Sequence, residues 1–342
     1  MEKTLYLDRT RIISKNKILF RNFFSKISKI NISLLFILFM IFSCTSKQIT
    51  YIPIDKHITE FIVSNNDKRT FTYFAPESSL NEKSALLFVL HGGGGSDKGM
   101  MYLTRLSDYS EKYGLIVVYA QGYENRWNDG RGLAHSITDQ RNTDDVEFLK
   151  DLRAHFISKF TIDETKIGVV GLSNGGFMST KLACKTDGEF THFISIAAGM
   201  SEPTFDRCIP SKPQKLLFIS GKKDEVIPFS GGYAFTYANK EKIELGKIIP
   251  FHESLKYWSF QNNCSIYKKE LFIDEFSTST DKNYSYKYLD CSSKTSVEGI
   301  AIENGDHSWP HGFFYKNKNK FGYLNQTMDA SYKIVKFLYN VD

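Results

Sequence analysis

The residues with the clearest chemical potential are Gly171-Leu172-Ser173-Asn174-Gly175, followed by Gly176. A serine flanked at two residues' distance by glycines is common by chance, so its surroundings decide its meaning. It follows a short apolar run, Ile167–Val170, and precedes a helical pattern, Gly175–Cys184. A strand-to-helix turn with small neighbours exposes the serine hydroxyl at the strand end, close to the helix N-terminus. That geometry suits covalent attack on a carbonyl carbon.

Such an attack creates a negative oxygen, which needs backbone N–H donors. His91-Gly92-Gly93-Gly94-Gly95 follows another apolar run, Ala85–Leu90. Glycine lets the main chain approach a developing charge without an intervening side chain. The expected donors are the N–H groups of Gly93 and of Asn174, the residue after the nucleophile. A phosphate-binding loop does not fit, because Asp97 rather than glycine precedes Lys98 and no Ser or Thr follows it.

The nucleophile also needs a base and an acid. If the order is Ser, acid, His, the base comes from His252, His307 or His311. His307 lies in Gly305-Asp306-His307-Ser308-Trp309-Pro310, between the strand Val297–Ile302 and the final helix. His252 opens a helix and His311 follows a proline, which suits surface or capping roles. A metal pair of His307 and His311 would need a helix that Pro310 breaks. The acid expected to orient His307 is Asp224, in Ser220-Gly221-Lys222-Lys223-Asp224, beyond the strand Leu216–Ser220. Glu225 is the neighbouring alternative. Asp306 adjoins His307 in sequence and is expected to point elsewhere.

These groups need a scaffold that brings strand ends together. Glu60–Ser64 and Thr70–Phe74 read as a strand pair, Leu115–Ala120 and Phe193–Ala197 as further strands. Helical patterns occupy Asp97–Tyr113, Asp144–Phe160, His252–Asn262 and Thr327–Tyr339. Strands alternating with helices imply an α/β fold, a mostly parallel central sheet with helices on both faces. Its functional groups belong beyond the carboxyl ends of the strands. Asp144 and Asp145 are read as capping the following helix and fixing the Trp127 loop. Trp127 and Trp309 are candidates for a substrate-lining role or for packing.

Together, His91–Gly95, Trp127-Asn128, Asp144-Asp145-Val146, Gly171–Gly176, the Asp224 segment with Gly231-Gly232, and Gly305–Pro310 resemble the secreted polyhydroxybutyrate depolymerase/feruloyl esterase family of α/β-hydrolases. The resemblance runs in order through roughly residues 60–312. It implies an α/β-hydrolase fold and hydrolysis of a carboxylic ester through Ser173, Asp224 and His307, with no metal or organic cofactor. It also implies a Cys264–Cys291 pair. The chain departs from the family pattern at Asp306, where glycine often precedes the histidine, and at Arg126, where cysteine often precedes Trp-Asn. No stretch reads as a separate polymer-binding module. A serine peptidase of the same fold and a non-catalytic surface-binding lipoprotein are the alternative readings.

The 342 residues are 42% apolar and 24% charged, ordinary globular proportions. The net charge of +6 resides entirely in residues 1–43, which hold eight basic and two acidic residues. The remainder is neutral and carries no bias toward nucleic acid. The basic leader ends in nine apolar residues, Leu34–Phe42, then Ser43-Cys44. This resembles a bacterial lipoprotein signal over 1–43, with Cys44 as the acylated residue, a polar tether over 44–58 and one catalytic domain over 59–342. Export, with a membrane anchor or secretion, follows as the expected location. Cys184, Cys208, Cys264 and Cys291 then remain for disulfides, with three connectivities open. Nearest-neighbour pairing would close loops of 24 and 27 residue steps, each worth roughly 3 kcal/mol.

Overall fold

A computed structural model describes residues 49–274, 280–313 and 326–341. The expected leader, Cys44 and the first part of the tether lie outside these residues. The rest of the expected tether is docked rather than free. Thr50 and Ile52 donate their N–H groups to the Asp108 backbone and carboxylate at 3.2 and 2.8 Å, and Ile52 is buried.

In chain order the strands are β1 (Ile58–Ser64), β2 (Asp67–Phe74), β3 (Ser84–Leu90), β4 (Leu115–Ala120), β5 (Ile162–Leu172), β6 (His192–Ile196), β7 (Lys215–Gly221), β8 (Gly232–Ala238), β9 (Glu241–Ile248), β10 (Ile266–Leu271), β11 (Tyr284–Leu289) and β12 (Val297–Ile302). The main sheet has the order β1-β2-β4-β3-β5-β6-β7-β12-β11-β10. Its central run, from β4 to β12, is parallel throughout. Antiparallel pairs flank it on both sides. β3 and β4 are buried along their whole length, as expected of strands covered on both faces. β1 turns into β2 through Asn65 and Asn66, both at positive φ, a hairpin conformation that asparagine tolerates.

Alternate residues of β3 feed two cores. Leu86, Phe88 and Leu90 belong to one core with Phe148, Leu152 and Phe156 of the helix Asp145–Lys159, and the same core continues to Leu255 and Trp258 of the helix Phe251–Gln261, which lies over β7 and β12. Leu87 and Val89 face Met100, Leu106, Ile334 and Leu338 on the other side. Helices therefore cover both faces, and every strand of the parallel run delivers its C-terminal loop to the same edge.

Two disulfides are formed, Cys184–Cys208 and Cys264–Cys291. The first ties the end of the helix Asn174–Lys185 to the end of the helix Glu202–Arg207.

The structure corrects several expectations. The helix expected over 97–113 is broken at Arg105, which adopts φ +52°, into Asp97–Thr104, a 3-10 turn Leu106–Tyr109 and Ser110–Tyr113. The final helix begins at Ala330 rather than Thr327, because Asp329 caps it by accepting the Tyr332 N–H at 3.0 Å. The hairpin β8–β9 and the pair β10–β11 have no counterpart in the apolar runs. β10 is exposed at every position, so no core pattern marks it. Among the described residues no helix is long and apolar enough to cross a membrane.

Candidate active site

The turn after β5 is the strained one that its glycines permit. Ser173 sits at φ +54°, ψ −116°, a conformation that costs a non-glycine residue about 1–3 kcal/mol and concentrates at functional sites. A Cβ on Gly171 would lie 2.0 Å from the Gly175 carbonyl oxygen, and one on Gly175 would lie 2.5 Å from that of Leu90. Both positions therefore exclude any side chain. The hydroxyl is presented at the sheet edge, at the start of the helix Asn174–Lys185.

His307 arrives from the loop after β12. Its Nε2 lies 3.0 Å from Ser173 Oγ, and its Nδ1 lies 2.8 Å from Asp224 Oδ2. Asp224 comes from the loop after β7. With Asp224 as acceptor, Nδ1 carries the proton and the Nε2 lone pair faces the serine hydroxyl. The other carboxylate oxygen of Asp224 accepts the N–H groups of Val226 and Ile227, each at 2.8 Å. The Asp224 side chain is 1% exposed and that of His307 15%. The two loops lock against each other: Lys223 N–H donates to the Gly305 carbonyl at 2.9 Å, and a Cβ on Gly221 would meet that oxygen at 2.2 Å. Glu225 is exposed, and the Asp306 carboxylate accepts from the Ser308 hydroxyl. Neither takes the place of Asp224.

The glycine loop after β3 lies against this turn. A Cβ on Gly92 would be 3.6 Å from Ser173 Cβ, and one on Gly93 would be 3.7 Å from Asn174 Cβ. Among the described residues the N–H groups of Gly93 and Asn174 have no acceptor. Those of Gly94 and Gly95 are used, by the carbonyls of Asn125 and Gly92 at 2.8 and 2.9 Å.

His91 holds the loop in place. Its Nδ1 donates to the Gly92 carbonyl at 2.8 Å, and its Nε2 accepts the Gly122 N–H at 2.9 Å. This arrangement needs a neutral ring. Burial supplies it, pushing the His91 imidazole down to about 4.

Trp127 and Trp309 do not line the site. Each is 1% exposed. The Trp127 ring N–H donates to the His91 carbonyl at 2.9 Å, so the ring braces the glycine loop from beneath. The Trp309 ring N–H donates to Ser331 Oγ at 3.1 Å within the layer beside the C-terminal helix. An indole buried with its one donor occupied offers no surface to a substrate.

Asp144 caps the helix Asp145–Lys159 by accepting the Glu147 N–H at 3.0 Å. Asp145, fully buried, pairs with Arg69 at 2.6 Å and accepts the Asn128 N–H at 2.7 Å, which fixes the loop that follows Trp127.

A buried network behind the nucleophile has no counterpart in the motifs. Asn174 Oδ1 accepts the Trp127 N–H at 2.9 Å, and its Nδ2 donates to the Trp127 carbonyl and to Asp129. Asp129 in turn pairs with Arg131 at 2.7 Å, both nearly fully buried. Arg131 lies over the Phe177 ring, 4.5 Å from its centroid. The only linear hint is the glycine-flanked turn Asp129-Gly130-Arg131-Gly132, which does not name its partners.

A cavity of about 470 Å³ lies elsewhere. It is lined by Asn128, Asp139, Gln140, Lys181, Lys185 and Arg207, toward the far end of the helix Asn174–Lys185, and includes neither Ser173 nor His307. The reactive groups themselves define the candidate site, since the cavity walls carry no nucleophile with a partnered base. Among the described residues no cluster of three or more His, Cys, Asp or Glu side chains is placed to hold a metal ion.

The prolyl oligopeptidase family matches residues 108–209, a segment that contains Ser173 but neither Asp224 nor His307. A protein named as an esterase, NocK of Nocardia uniformis subsp. tsuyamanensis, is 23% identical over 287 residues, covering 82% of this chain and 81% of that protein. Feruloyl esterase B of Piromyces equi is 24% identical over 200 residues, covering 57% of this chain and 34% of that protein. The acetyl xylan esterase of Aspergillus awamori superposes with a TM-score of 0.51 at 14% identity, covering 73% of this chain and 94% of that one. The fold is that of the α/β-hydrolases.

Proposed function

We propose that this α/β-hydrolase, a relative of esterases, is a serine carboxylic-ester hydrolase working through Ser173, His307 and Asp224. The observation that carries the reading is the unbroken chain from Ser173 Oγ through His307 to Asp224 at 3.0 and 2.8 Å, beside two N–H groups with no acceptor among the described residues.

In this reading Ser173 Oγ attacks the ester carbonyl carbon while His307 Nε2 takes its proton. The Gly93 and Asn174 N–H groups hold the resulting oxyanion, each donor being worth about 10²–10³ in rate. Asp224 stabilises the imidazolium. Collapse breaks the bond to the alcohol, which leaves with the proton from His307. Water then attacks the acyl-serine by the same route, releasing the acid and restoring Ser173. Burial of His91 in its neutral form keeps the donor loop in register through both steps.

The substrate class is a carboxylic ester. Feruloylated and acetylated sugars and hydroxybutyrate oligomers are the esters to test, on the names of the relatives and on the motif resemblance. Two disulfides and the Cys44 signal support action outside the cytoplasm from a lipid anchor. A globomycin-sensitive change in precursor size, lost in Cys44→Ala, tests that anchor.

Labelling of the purified chain by a fluorophosphonate probe, with hydrolysis of 4-nitrophenyl acyl esters, tests the reaction. Both should vanish in Ser173→Ala. A folded but unlabelled wild type would refute the enzymatic reading and favour a binding role. The match to the prolyl oligopeptidase family supports a second reading, a peptidase. Preference for peptide anilides over esters would select it.

A further inference from the structure

Arg126 stands at the proposed oxyanion loop with a guanidinium uncommitted among the described residues. Its Nη1 lies 3.4 Å from the point that a Gly93 Cβ would occupy. Of the seven arginines among the described residues, five form ion pairs and Arg207 donates to the Pro203 carbonyl. Arg126 has neither an ion pair nor a side-chain hydrogen bond among the described residues.

Its place is set by a rigid turn. Arg126 N–H donates to the Tyr123 carbonyl at 2.9 Å, and Gly94 N–H donates to the Asn125 carbonyl at 2.8 Å. Glu124 and Asn125 are both held at positive φ, and a Cβ on Gly122 would meet the Arg126 carbonyl oxygen at 2.4 Å. The turn and the donor loop therefore form one unit.

The strand order then says which part of an ester this guanidinium meets. Along the edge the sequence is β4, β3, β5, β6, β7, β12. Ser173 follows β5. Gly93 and Arg126, after β3 and β4, lie to one side of it; Asp224 and His307, after β7 and β12, lie to the other. His307 must protonate the departing alcohol, so the alcohol extends toward β12. The acyl group is left the side toward β3 and β4, under Arg126.

We propose that Arg126 recognises a carboxylate on the acyl group, so that the preferred esters are half-esters of dicarboxylic acids or acyl groups of like charge. This rests on the serine esterase reading. A guanidinium free of other partners binds a carboxylate through two parallel N–H···O bonds. Arg126 is exposed and its Nη1 reaches the donor loop, so an anion bound there is held close to the reacting carbonyl.

The test uses the purified full chain in a pH-stat, comparing kcat/KM for monoethyl adipate with that for its neutral isostere, the monoamide ethyl ester. Turnover that is lost in Ser173→Ala reports on the esterase reading; the ratio between the two esters reports on Arg126. The expected ratio favours the carboxylate by about 10-fold or more at low ionic strength and shrinks as salt is added. In Arg126→Gln the ratio should fall at least about 10-fold, while Arg126→Lys should keep part of it. A wild type with no preference for the carboxylate, or an Arg126→Gln ratio equal to that of the wild type, would overturn the proposal. Equal loss on both esters would also overturn it, placing Arg126 on the oxyanion instead. Absence of Ser173-dependent turnover on either ester would overturn both the proposal and the reading beneath it.

Discussion

Asp224 binds His307 with one carboxylate oxygen and the backbone of its own turn with the other: Oδ2 lies 2.8 Å from His307 Nδ1, while Oδ1 accepts the N–H groups of Val226 and Ile227. The carboxylate is thus fixed before it meets the imidazole. Replacing it by asparagine preserves the shape but favours the wrong tautomer of the ring. Asp224→Asn should lower kcat by about 10³–10⁴ with little change in KM, read from steady-state hydrolysis of a 4-nitrophenyl ester. A loss under tenfold would show that Asp224 does not orient the base.

The nucleophile turn should be intolerant of a single methyl group. A Cβ on Gly171 would sit 2.0 Å from a backbone oxygen that cannot swing away. Gly171→Ala should destabilise the fold by at least about 2 kcal/mol, measured by urea unfolding. It should also abolish fluorophosphonate labelling, because the turn can relax only by moving Ser173.

Two buried histidines make stability pH-dependent. Burial pushes His91 down to about 4 and His192 down to about 3. In the unfolded chain both return to about 6.5. Between those values the unfolded state binds more protons than the folded state. Their effect on stability is therefore neutral above about 6.5, and stability is lost as the pH falls from there toward 4, by up to about 1.4 kcal/mol per pH unit for each ring. Urea unfolding from pH 7.5 to 4.5 should show this decline, and His192→Leu should flatten it. An unchanged slope in that variant would remove His192 from the account.

The pair behind the nucleophile should matter to both stability and rate. Asp129 accepts from Asn174 and neutralises Arg131 in a nearly dry environment. Asp129→Ala leaves a buried guanidinium without its counter-charge, a loss of about 3–5 kcal/mol. It also frees the residue that carries one proposed oxyanion donor. Urea unfolding and kcat should both fall, whereas a stable variant with reduced kcat alone would assign the network to positioning only.

The Cys264–Cys291 bridge closes a loop of 27 residue steps between the end of the helix Phe251–Gln261 and the end of β11. The chain-entropy argument makes it worth about 3.5 kcal/mol. The double serine variant should lose that much in urea unfolding, with esterase kinetics at low denaturant unchanged, since the bridge lies remote from Ser173 along the sheet order.

The parts of this molecule legible in its sequence are those that local geometry enforces. Glycines at 171 and 175 mark a turn only they can make, and four glycines after His91 mark a backbone that must come close to something. Continuous apolar runs mark β3 and β4, because strands buried on both faces tolerate nothing else. The order of these elements along the chain suffices to set Ser173, Asp224 and His307 at a common edge. What only the tertiary structure decided are contacts between distant residues that no spacing encodes. The Asn174–Asp129 bond joins residues 45 apart, and the His91–Gly122 bond joins residues 31 apart. Trp127 and Trp309 illustrate the same limit, since an aromatic residue near a motif is equally suited to a wall and to a foundation until burial is known. The exposed strand β10 is held by ladder hydrogen bonds rather than by an apolar face, and the hairpin β8–β9 buries only Ala234 and Ile248 against Phe177, Ala198 and Ile227, too few positions to leave a hydrophobic run. Arg126 belongs to this second group as well: its charge is plain in the sequence, but its place beside Gly93 arises only when two loops from neighbouring strands fold together.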